Sequence, residues 1–315
     1  MIIVDAHCDT ITKIMETQEN LNRNGCHVDI ERIKGLGSFV QFFAAFIDPL
    51  YYTNPSKRAL QIIDKFYEEI KNNKNFIAVC TSYRDIRKAH KEEKIAAILS
   101  IEGGEALQGD LALLRSYYRL GVRSICLTWN NRNDIADGIM DDYSCGGLSR
   151  YGMDVVEEMN KLGMIIDVSH ISEKGFFDVI WKTTKPIIAS HSNTRKICNH
   201  PRNHTDKQIK AIKGNKGVIG LNFYNNFLDD KKRASIKDII RHIEYIAGLI
   251  GIDYIGLGAD FDGVDVLPEG IDGVQDLDKI INELLRLNYK NIDVDKIMGG
   301  NMLRLIKRVF AQPKD

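Results

Sequence analysis

The sequence predicts an α/β fold, a (β/α)8 or TIM-like barrel, and three observations support this prediction. Short apolar segments recur along the chain, and each is followed by a longer stretch with helical periodicity. Near-continuous apolar runs of this kind are typical of parallel strands that are covered on both faces. Eight such segments are present, and no glycine-rich turn of the dinucleotide-binding type follows the first of them, which disfavours a doubly wound sheet.

The predicted strands are short and rich in β-branched residues. They cover Ile2–Ala6, Phe39–Phe46, Ile95–Ile101, Val122–Thr128, Met164–Val168, Pro186–Ser190, Val218–Asn222 and Tyr254–Gly258. The clearest helices between them are amphipathic, and Ser172 and Thr205 stand where two of these helices should be capped. These helices cover Tyr151–Leu162, Ser172–Trp181, Thr205–Ile212 and Ser235–Ile250. The alternation predicts βαβ units with a parallel sheet.

Residues 1–315 are expected to form a single barrel domain. The chain contains no low-complexity segment, no long internal repeat and no linker rich in proline and glycine. Beyond the last predicted strand, Asp276–Leu287 and Asp295–Phe310 have helical periodicity, with Asn301 expected as a cap after the Gly299-Gly300 break. We expect these additional C-terminal helices to pack on the outside of the barrel.

Charge and targeting signals argue against several classes of partner. Lysine plus arginine and aspartate plus glutamate both number 43, so the formal net charge is zero. We therefore expect no nucleic-acid partner and no binding to an anionic membrane. The N-terminal residues lack the pattern of a signal peptide, and no apolar run reaches about 18 residues. A cytoplasmic protein is expected.

Acidic and histidine side chains follow five of the predicted strands at the point where each strand ends. In barrel enzymes the catalytic groups come from the carboxyl ends of several strands, which meet at one face. A single histidine at such a position is more often a hydrogen-bonded structural residue than a ligand, but five equivalent strand ends together indicate a site. The residues are His7, Asp9, Glu102, His170, His191 and Asp260.

The first five of these residues form a candidate metal centre. Alternate residues on a strand point to one face, so His7 and Asp9 are expected side by side; the alternative for Asp9 is the N-cap of a following helix. Imidazole and carboxylate ligands suit Zn²⁺, with Mn²⁺, Fe²⁺ and Co²⁺ as substitutes. Five ligands are too many for one catalytic ion, so we predict two ions bridged by Glu102. Such a pair, about 3.5–4 Å apart, would turn a shared water into a hydroxide nucleophile near neutral pH.

Two further residues complete the predicted chemistry. Asp260 is placed to take a proton from that water and pass it to the leaving group; the alternative is a turn residue ahead of Asp262-Gly263. Arg202 is a candidate clamp for a substrate carboxylate, because a guanidinium binds a carboxylate through two parallel hydrogen bonds. A solvent-exposed arginine in a loop is the alternative for Arg202.

Eight short motifs occur in a set order along the chain. They are Asp5-Ala6-His7-Cys8-Asp9-Thr10, Ile101-Glu102-Gly103-Gly104, Ile166-Asp167-Val168-Ser169-His170, Ser190-His191-Ser192, His200-Pro201-Arg202-Asn203, Asn222-Phe223-Tyr224, Gly258-Ala259-Asp260-Phe261-Asp262-Gly263 and Leu267-Pro268-Glu269-Gly270. Together they resemble the membrane (renal) dipeptidases and their soluble bacterial relatives, which are zinc-dependent dipeptidases with a barrel of the metal-dependent hydrolase type. The resemblance covers nearly the whole chain.

The resemblance implies hydrolysis of the peptide bond of a dipeptide by a hydroxide between two zinc ions. It implies one metal on His7, Asp9 and Glu102 and a second on Glu102, His170 and His191. Asp260 would act on the bridging water and the leaving amine, and Arg202 would bind the C-terminal carboxylate of the dipeptide. Tyr224 corresponds to a residue near the pocket, and a homodimer is expected from the family.

One position departs from the family pattern. Many members carry a histidine after Leu-Thr at the end of the fourth predicted strand, where it helps to hold the substrate and the developing oxyanion; this chain has Trp129 there. An indole N–H can donate a hydrogen bond, but the ring cannot carry a charge. Trp129 is therefore a candidate substrate contact, with a packing residue at the barrel rim as the alternative. Asn130 and Asn131 are candidates for the missing donor.

Two other functions fit part of the pattern. A binuclear-metal lactonase, phosphotriesterase or deaminase would keep the barrel and the metals but act on a different bond. Such enzymes usually have His-x-His on the first strand, where this chain has His7-Cys8-Asp9, so the dipeptidase branch is favoured. A non-catalytic peptide-binding barrel is the third interpretation, and the loss of a ligand would favour it; all five ligands are present.

Overall fold

A computed structural model describes residues 1–310 of the chain. Within those residues nine β-strands form one sheet in which every pairing is parallel. The strands are β1 Ile3–Cys8, β2 Phe39–Phe46, β3 Ile77–Val79, β4 Ile95–Glu102, β5 Val122–Cys126, β6 Ile165–Asp167, β7 Ile188–Ala189, β8 Val218–Leu221 and β9 Ile255–Leu257.

The sheet closes into an eight-stranded barrel, as the sequence predicted. The strand order runs β2-β1-β9-β8-β7-β6-β5-β4, and β2 also pairs with β4, which joins the two ends. Each of the eight predicted segments overlaps one barrel strand, although β1 extends to Cys8 and β4 to Glu102, beyond the predicted ends. The ninth strand, β3, was not predicted; it has only three residues and pairs with the first half of β4, ahead of the β5 pairing that begins at Leu99.

Helices alternate with the strands, as expected of a (β/α)8 barrel. They are α1 Thr10–Thr17, α2 Ile30–Lys34, α3 Pro55–Asn72, α4 Tyr83–Lys91, α5 Leu111–Arg119, α6 Arg150–Leu162, α7 Glu173–Lys182, α8 Asp206–Asn215, α9 Asn225–Leu228, α10 Ile236–Ile250, α11 Leu277–Arg286, α12 Asn291–Asp295 and α13 Asn301–Val309. No helix among residues 1–310 has the length and apolar character needed to cross a membrane.

The capping predictions were right at two helices and wrong at a third. Ser172 accepts a hydrogen bond from the Gly175 N–H, and Thr205 forms a capping box with Gln208. Asn301 does not cap α13, because the backbone continues from α12 through a π-helical turn without a break. Its side-chain amide instead donates to the carbonyls of Ile252 and Ile255 at 2.8 Å.

Side chains from one face of the strands fill the barrel interior, and α13 closes the barrel at the N-terminal ends of the strands. Val4, Val40, Ile98 and Val218 belong to one buried cluster with Met302, although they come from four strands and the last helix. The opposite strand faces pack beneath the surrounding helices in a second, larger cluster. Alternation of side chains between the two faces of each strand explains this division. The carboxyl ends of the strands, at the other end of the barrel, carry the polar groups.

Close packing at the end of β9 predicts a strong effect of one glycine substitution. A Cβ on Gly258 would overlap the carbonyl oxygen of Ser190, which follows β7. We expect Gly258→Ala to lower the free energy of unfolding by about 1–3 kcal/mol, the usual cost of overpacking. Gly248→Ala is the matched control, because that glycine lies in α10 with no heavy atom within 4 Å of its added Cβ. The control should raise the free energy of unfolding by about 0.5–1 kcal/mol. Urea titrations of both variants measure these changes, and an equal change in the two variants would contradict this packing.

Candidate metal centre

The six acidic and histidine residues predicted from the strand ends converge at one end of the barrel. Glu102 is the last residue of β4, and the other five lie in β1 or within three residues of the ends of β1, β6, β7 and β9. All six are buried, with at most 8% of each residue exposed. They are His7, Asp9, Glu102, His170, His191 and Asp260.

The carboxylate of Glu102 lies at the centre of this group. Its Oε2 is 3.4 Å from Nε2 of His7, whereas its Oε1 is 3.0 Å from Nε2 of His170 and 3.4 Å from Nε2 of His191. One oxygen of the carboxylate therefore faces the imidazole of His7, and the other faces the imidazoles of His170 and His191. This is the arrangement expected of a residue that bridges two cations.

Asp9, two residues after His7, and Asp260, which follows the neighbouring strand β9, both approach His7. The distance from His7 Nε2 is 3.3 Å to Asp9 Oδ2 and 3.8 Å to Asp260 Oδ1. Asp9 does occupy the N-cap position of α1, the alternative weighed for it, but its side chain makes no capping hydrogen bond. Its Oδ1 is buried and has no hydrogen-bond partner among the described residues. A buried carboxylate oxygen without a donor is costly, so this atom is available for a ligand.

Two of the site residues have a left-handed backbone. His170 has φ 64° and Asp260 has φ 63°, values that few residues other than glycine and asparagine adopt. Such conformations cost free energy and persist where the surrounding structure enforces them, commonly at functional sites. Here they turn both side chains inward just after β6 and β9.

Each of two histidines is held by a hydrogen bond on the ring nitrogen that faces away from Glu102. His170 Nδ1 lies 2.8 Å from Asn130 Oδ1. His191 Nδ1 lies 2.7 Å from Ser190 Oγ, whose hydroxyl donates to the carboxylate of Asp167. Such partners fix the ring orientation and leave Nε2 free as a ligand.

Sequence reasoning missed the part played by Asp167 and Ser190. Asp167 is buried at the end of β6, and it also accepts hydrogen bonds from the backbone N–H groups of Ser169 and Ser190. The available signal was a carboxylate inside the otherwise apolar run Ile165-Ile166-Asp167-Val168. Burying a carboxylate is expensive unless it is hydrogen bonded, so its presence there indicates a partner.

Burial and charge give the three histidines different protonation tendencies. Burial lowers the pKa of His170 to about 4, and it lowers the pKa of His191 well below its usual range. Burial also acts to lower the pKa of His7, but the carboxylates of Glu102 and Asp9 outweigh it and raise that pKa well above its usual range. Two imidazoles are thus neutral, the form that binds metals, and the carboxylates around His7 attract positive charge.

The donor set fits divalent metal ions. Three groups of residues each offer ligand atoms that all lie within 4.8 Å of one another. They are His7 with Asp9 and Glu102, Glu102 with His170 and His191, and His7 with His191 and Asp260. The first two share Glu102 and match the two ligand sets that the resemblance implied. Nitrogen and oxygen donors without thiolate form several kinds of catalytic zinc site.

A cavity of about 660 Å³ opens above these residues. Its walls include Asp9, Glu102, His170, Asp260 and Arg202, and its volume suits a small molecule of the size of a dipeptide. These five residues therefore face one shared space, whereas His7 and His191 are not part of the cavity wall.

Arg202 is buried, which excludes the solvent-exposed loop arginine that was its alternative. One terminal nitrogen donates to the carbonyl of His191 at 3.1 Å, and the guanidinium lies over the ring of Phe227 at 5.5 Å. Its Nε is buried without a partner among the described residues. A buried guanidinium with unsatisfied donors beside a cavity is suited to an anionic ligand.

Trp129 and Tyr224 also line the cavity. The Trp129 ring packs 5.5 Å from that of Phe46 and 6.1 Å from that of His170, and within residues 1–310 its indole N–H has no hydrogen-bond acceptor. Tyr224 accepts a hydrogen bond from Asn226 at 2.7 Å. Of the two asparagines after Trp129, Asn130 lines the cavity, whereas Asn131 is exposed and is not part of the cavity wall.

Comparison of the sequence with known proteins identifies relatives along almost the whole chain. The family model described as membrane dipeptidase (peptidase family M19) matches residues 1–314. An uncharacterized Klebsiella pneumoniae protein from the pqqA 5′ region is 36% identical over 266 residues, which cover 79% of this chain and 98% of that protein. An uncharacterized dipeptidase of Schizosaccharomyces pombe is 34% identical over 299 residues, covering 90% and 72% respectively.

Solved structures agree with the sequence comparison. The crystal structure of a metallopeptidase named dipeptidase AC superposes with a TM-score of 0.92 at 26% identity, covering 99% of both chains. A metallopeptidase from Rhodobacter sphaeroides, bound to a phosphinate mimic of L-Ala-D-Ala, superposes with a TM-score of 0.91 at 25% identity, covering 98% of this chain and 99% of that one. On the family match and the sequence relatives together, the chain belongs to the membrane dipeptidase family, peptidase family M19.

Proposed function

We propose that this protein hydrolyses the peptide bond of dipeptides at a centre of two zinc ions. The observation that carries the proposal is the position of Glu102, whose Oε2 faces His7 while its Oε1 faces His170 and His191. Zinc is proposed because the ligands are imidazoles and carboxylates. Two divalent cations held there would supply the Lewis acidity that activates a water near neutral pH.

The proposed ligands divide into two sets that share one carboxylate. His7, Asp9 and Glu102 would hold one ion, and Glu102, His170 and His191 the other. The unpartnered Oδ1 of Asp9 supports the first assignment, because it leaves a buried oxygen to be satisfied. The neutral imidazoles of His170 and His191 support the second, because a protonated imidazole has no lone pair for a metal.

Asp260 is the proposed group for moving protons. Burial raises the pKa of this carboxyl, and a raised pKa suits a group that must take up a proton and release it near neutral pH. Its Oδ2 accepts a hydrogen bond from Asn222 at 2.8 Å, which leaves Oδ1 facing the ligands at 3.8 Å from His7. Asp260 would take a proton from the attacking water at Oδ1 and deliver it to the leaving amine.

Arg202 is proposed to bind the C-terminal carboxylate of the dipeptide. It lies in the cavity wall with Trp129 and Tyr224, which are proposed to contact the rest of the substrate. An arginine at this position favours short substrates, because a longer peptide would bring an amide and further residues to the place of the carboxylate. A dipeptide is also the substrate class suggested by the Rhodobacter sphaeroides relative, which binds a dipeptide mimic.

The other two functions considered have less support. The substrates of a lactonase, phosphotriesterase or deaminase have no peptide carboxylate for Arg202 to bind, and the family match is to dipeptidases. A non-catalytic peptide-binding barrel has no use for Asp260 in a left-handed conformation beside the ligand set.

Removal and return of metal tests the proposal directly. A panel of dipeptides should be hydrolysed by the metal-replete protein and not after treatment with a chelator, because the water is no longer activated. Activity should return when Zn²⁺ is added to the stripped protein, and released amino acids are measured by chromatography. Absence of turnover of every dipeptide by the metal-replete protein would contradict the proposal.

Substitution of Arg202 tests the substrate assignment. We expect Arg202→Ala to lower kcat/KM for a good dipeptide about 10- to 100-fold, since a charge-assisted hydrogen bond contributes about 1.5–3 kcal/mol. The matched control is the C-terminal amide of the same dipeptide, which lacks the carboxylate. If the substitution reduced kcat/KM for the acid and the amide equally, Arg202 would not be the carboxylate-binding residue.

A further inference from the structure

The structure places Asn130 behind one of the proposed metal ligands, and we propose that Asn130 is a positioning residue that holds the ring of His170 in its metal-binding orientation. The inference deepens the proposed function and rests on it, since it assigns a role toward the metal centre. It also gives a role to Asn130, which follows Trp129, the residue that stands where many family members carry a histidine.

The contact identifies which atoms of the two side chains meet. His170 Nδ1 lies 2.8 Å from Asn130 Oδ1, while His170 Nε2 lies 3.0 Å from Glu102 Oε1. If Nε2 is the metal ligand, the ring proton must be on Nδ1, and only an acceptor can face it. The amide oxygen of Asn130 meets this requirement, so the hydrogen bond selects the tautomer that leaves the Nε2 lone pair free.

The backbone of Asn130 is tied to His170 through a second route. Met140 N–H donates to the carbonyl of Asn130 at 2.8 Å, and the preceding residue, Ile139, donates its N–H to the carbonyl of His170 at 2.7 Å. Two consecutive residues, Ile139 and Met140, thus hold the backbones of both partners of the side-chain contact. A hydrogen bond between two such restrained groups costs little conformational entropy to maintain.

Gly138 permits this close approach. A Cβ at position 138 would overlap the carbonyl groups of Asn130 and Asn131, although the φ of Gly138, −79°, is accessible to any residue. Space, and not backbone conformation, therefore requires glycine here. Gly138→Ala would displace the backbone of Asn130 and Asn131 without changing any side chain of the site.

The two histidines of the second ligand set have different supports. His191 is backed by Ser190 and the carboxylate of Asp167, whereas His170 has the neutral amide of Asn130. Replacing a partner on the outer side of a metal-ligating histidine typically costs about 10- to 100-fold in metal affinity. The His170 side of the centre should show this sensitivity at Asn130.

Zinc affinity of the stripped protein, measured by competition with a chromophoric chelator, tests the inference. Wild type should bind two ions, and Asn130→Ala should bind one of them about 10- to 100-fold more weakly. Gly138→Ala should weaken the same ion. Asn130→Asp retains the acceptor and should bind zinc at least as tightly as wild type, which separates positioning from general damage.

Asn131→Ala is the matched control, because Asn131 is exposed and lies outside the cavity wall, and it should bind zinc as wild type does. The absorption bands of the Co²⁺-substituted protein provide a second readout, and they should change in Asn130→Ala and not in Asn131→Ala. Equal zinc affinity of Asn130→Ala and wild type would overturn this inference alone. Wild type that bound fewer than two ions would contradict the proposed function as well.

Discussion

The carboxylate of Glu102 is the group on which the geometry of the centre depends. It is 4% exposed, and its two oxygens lie within 3.4 Å of three different imidazoles. Burial alone would raise its pKa, but the charge of His7 is the largest of the effects that lower it well below the usual range. A buried carboxylate that stays ionised needs compensating positive charge. This requirement connects the charge balance of the site to metal binding.

The barrel supplies the rigidity that such a centre needs. Asp5 lies two residues before His7 in β1. It accepts hydrogen bonds from the Ala259 N–H at 2.8 Å and from the side-chain amide of Gln41 at 2.9 Å. It therefore ties β1 to the residue before Asp260 and to β2. Together with the left-handed backbone at His170 and Asp260, these contacts place ligands from distant parts of the chain within a few ångströms. Preorganisation of this kind is what metal and catalytic sites require of their scaffold.

Much of the fold and the ligand set could be predicted from the sequence, because both depend on local patterns. Apolar periodicity located all eight barrel strands, and the rule that functional groups follow strand ends located the six residues that converge. β3 was missed because it lies outside the barrel, beside β4, and so is not one of the eight strands that the alternation of strands and helices predicts. The contacts of Asn130 with His170, and of Asp167 with Ser190, join residues 40 and 23 positions apart. Such contacts depend on the paths of loops, for which the sequence contains no comparable local signal.

Anomalous diffraction at the zinc edge, from crystals of the metal-replete protein, tests the central claim most directly. Two peaks about 3.5–4 Å apart are expected, one beside His7 and Asp9 and the other beside His170 and His191, with the Glu102 carboxylate between them. A single peak, or two peaks that do not both contact Glu102, would contradict the two-metal account.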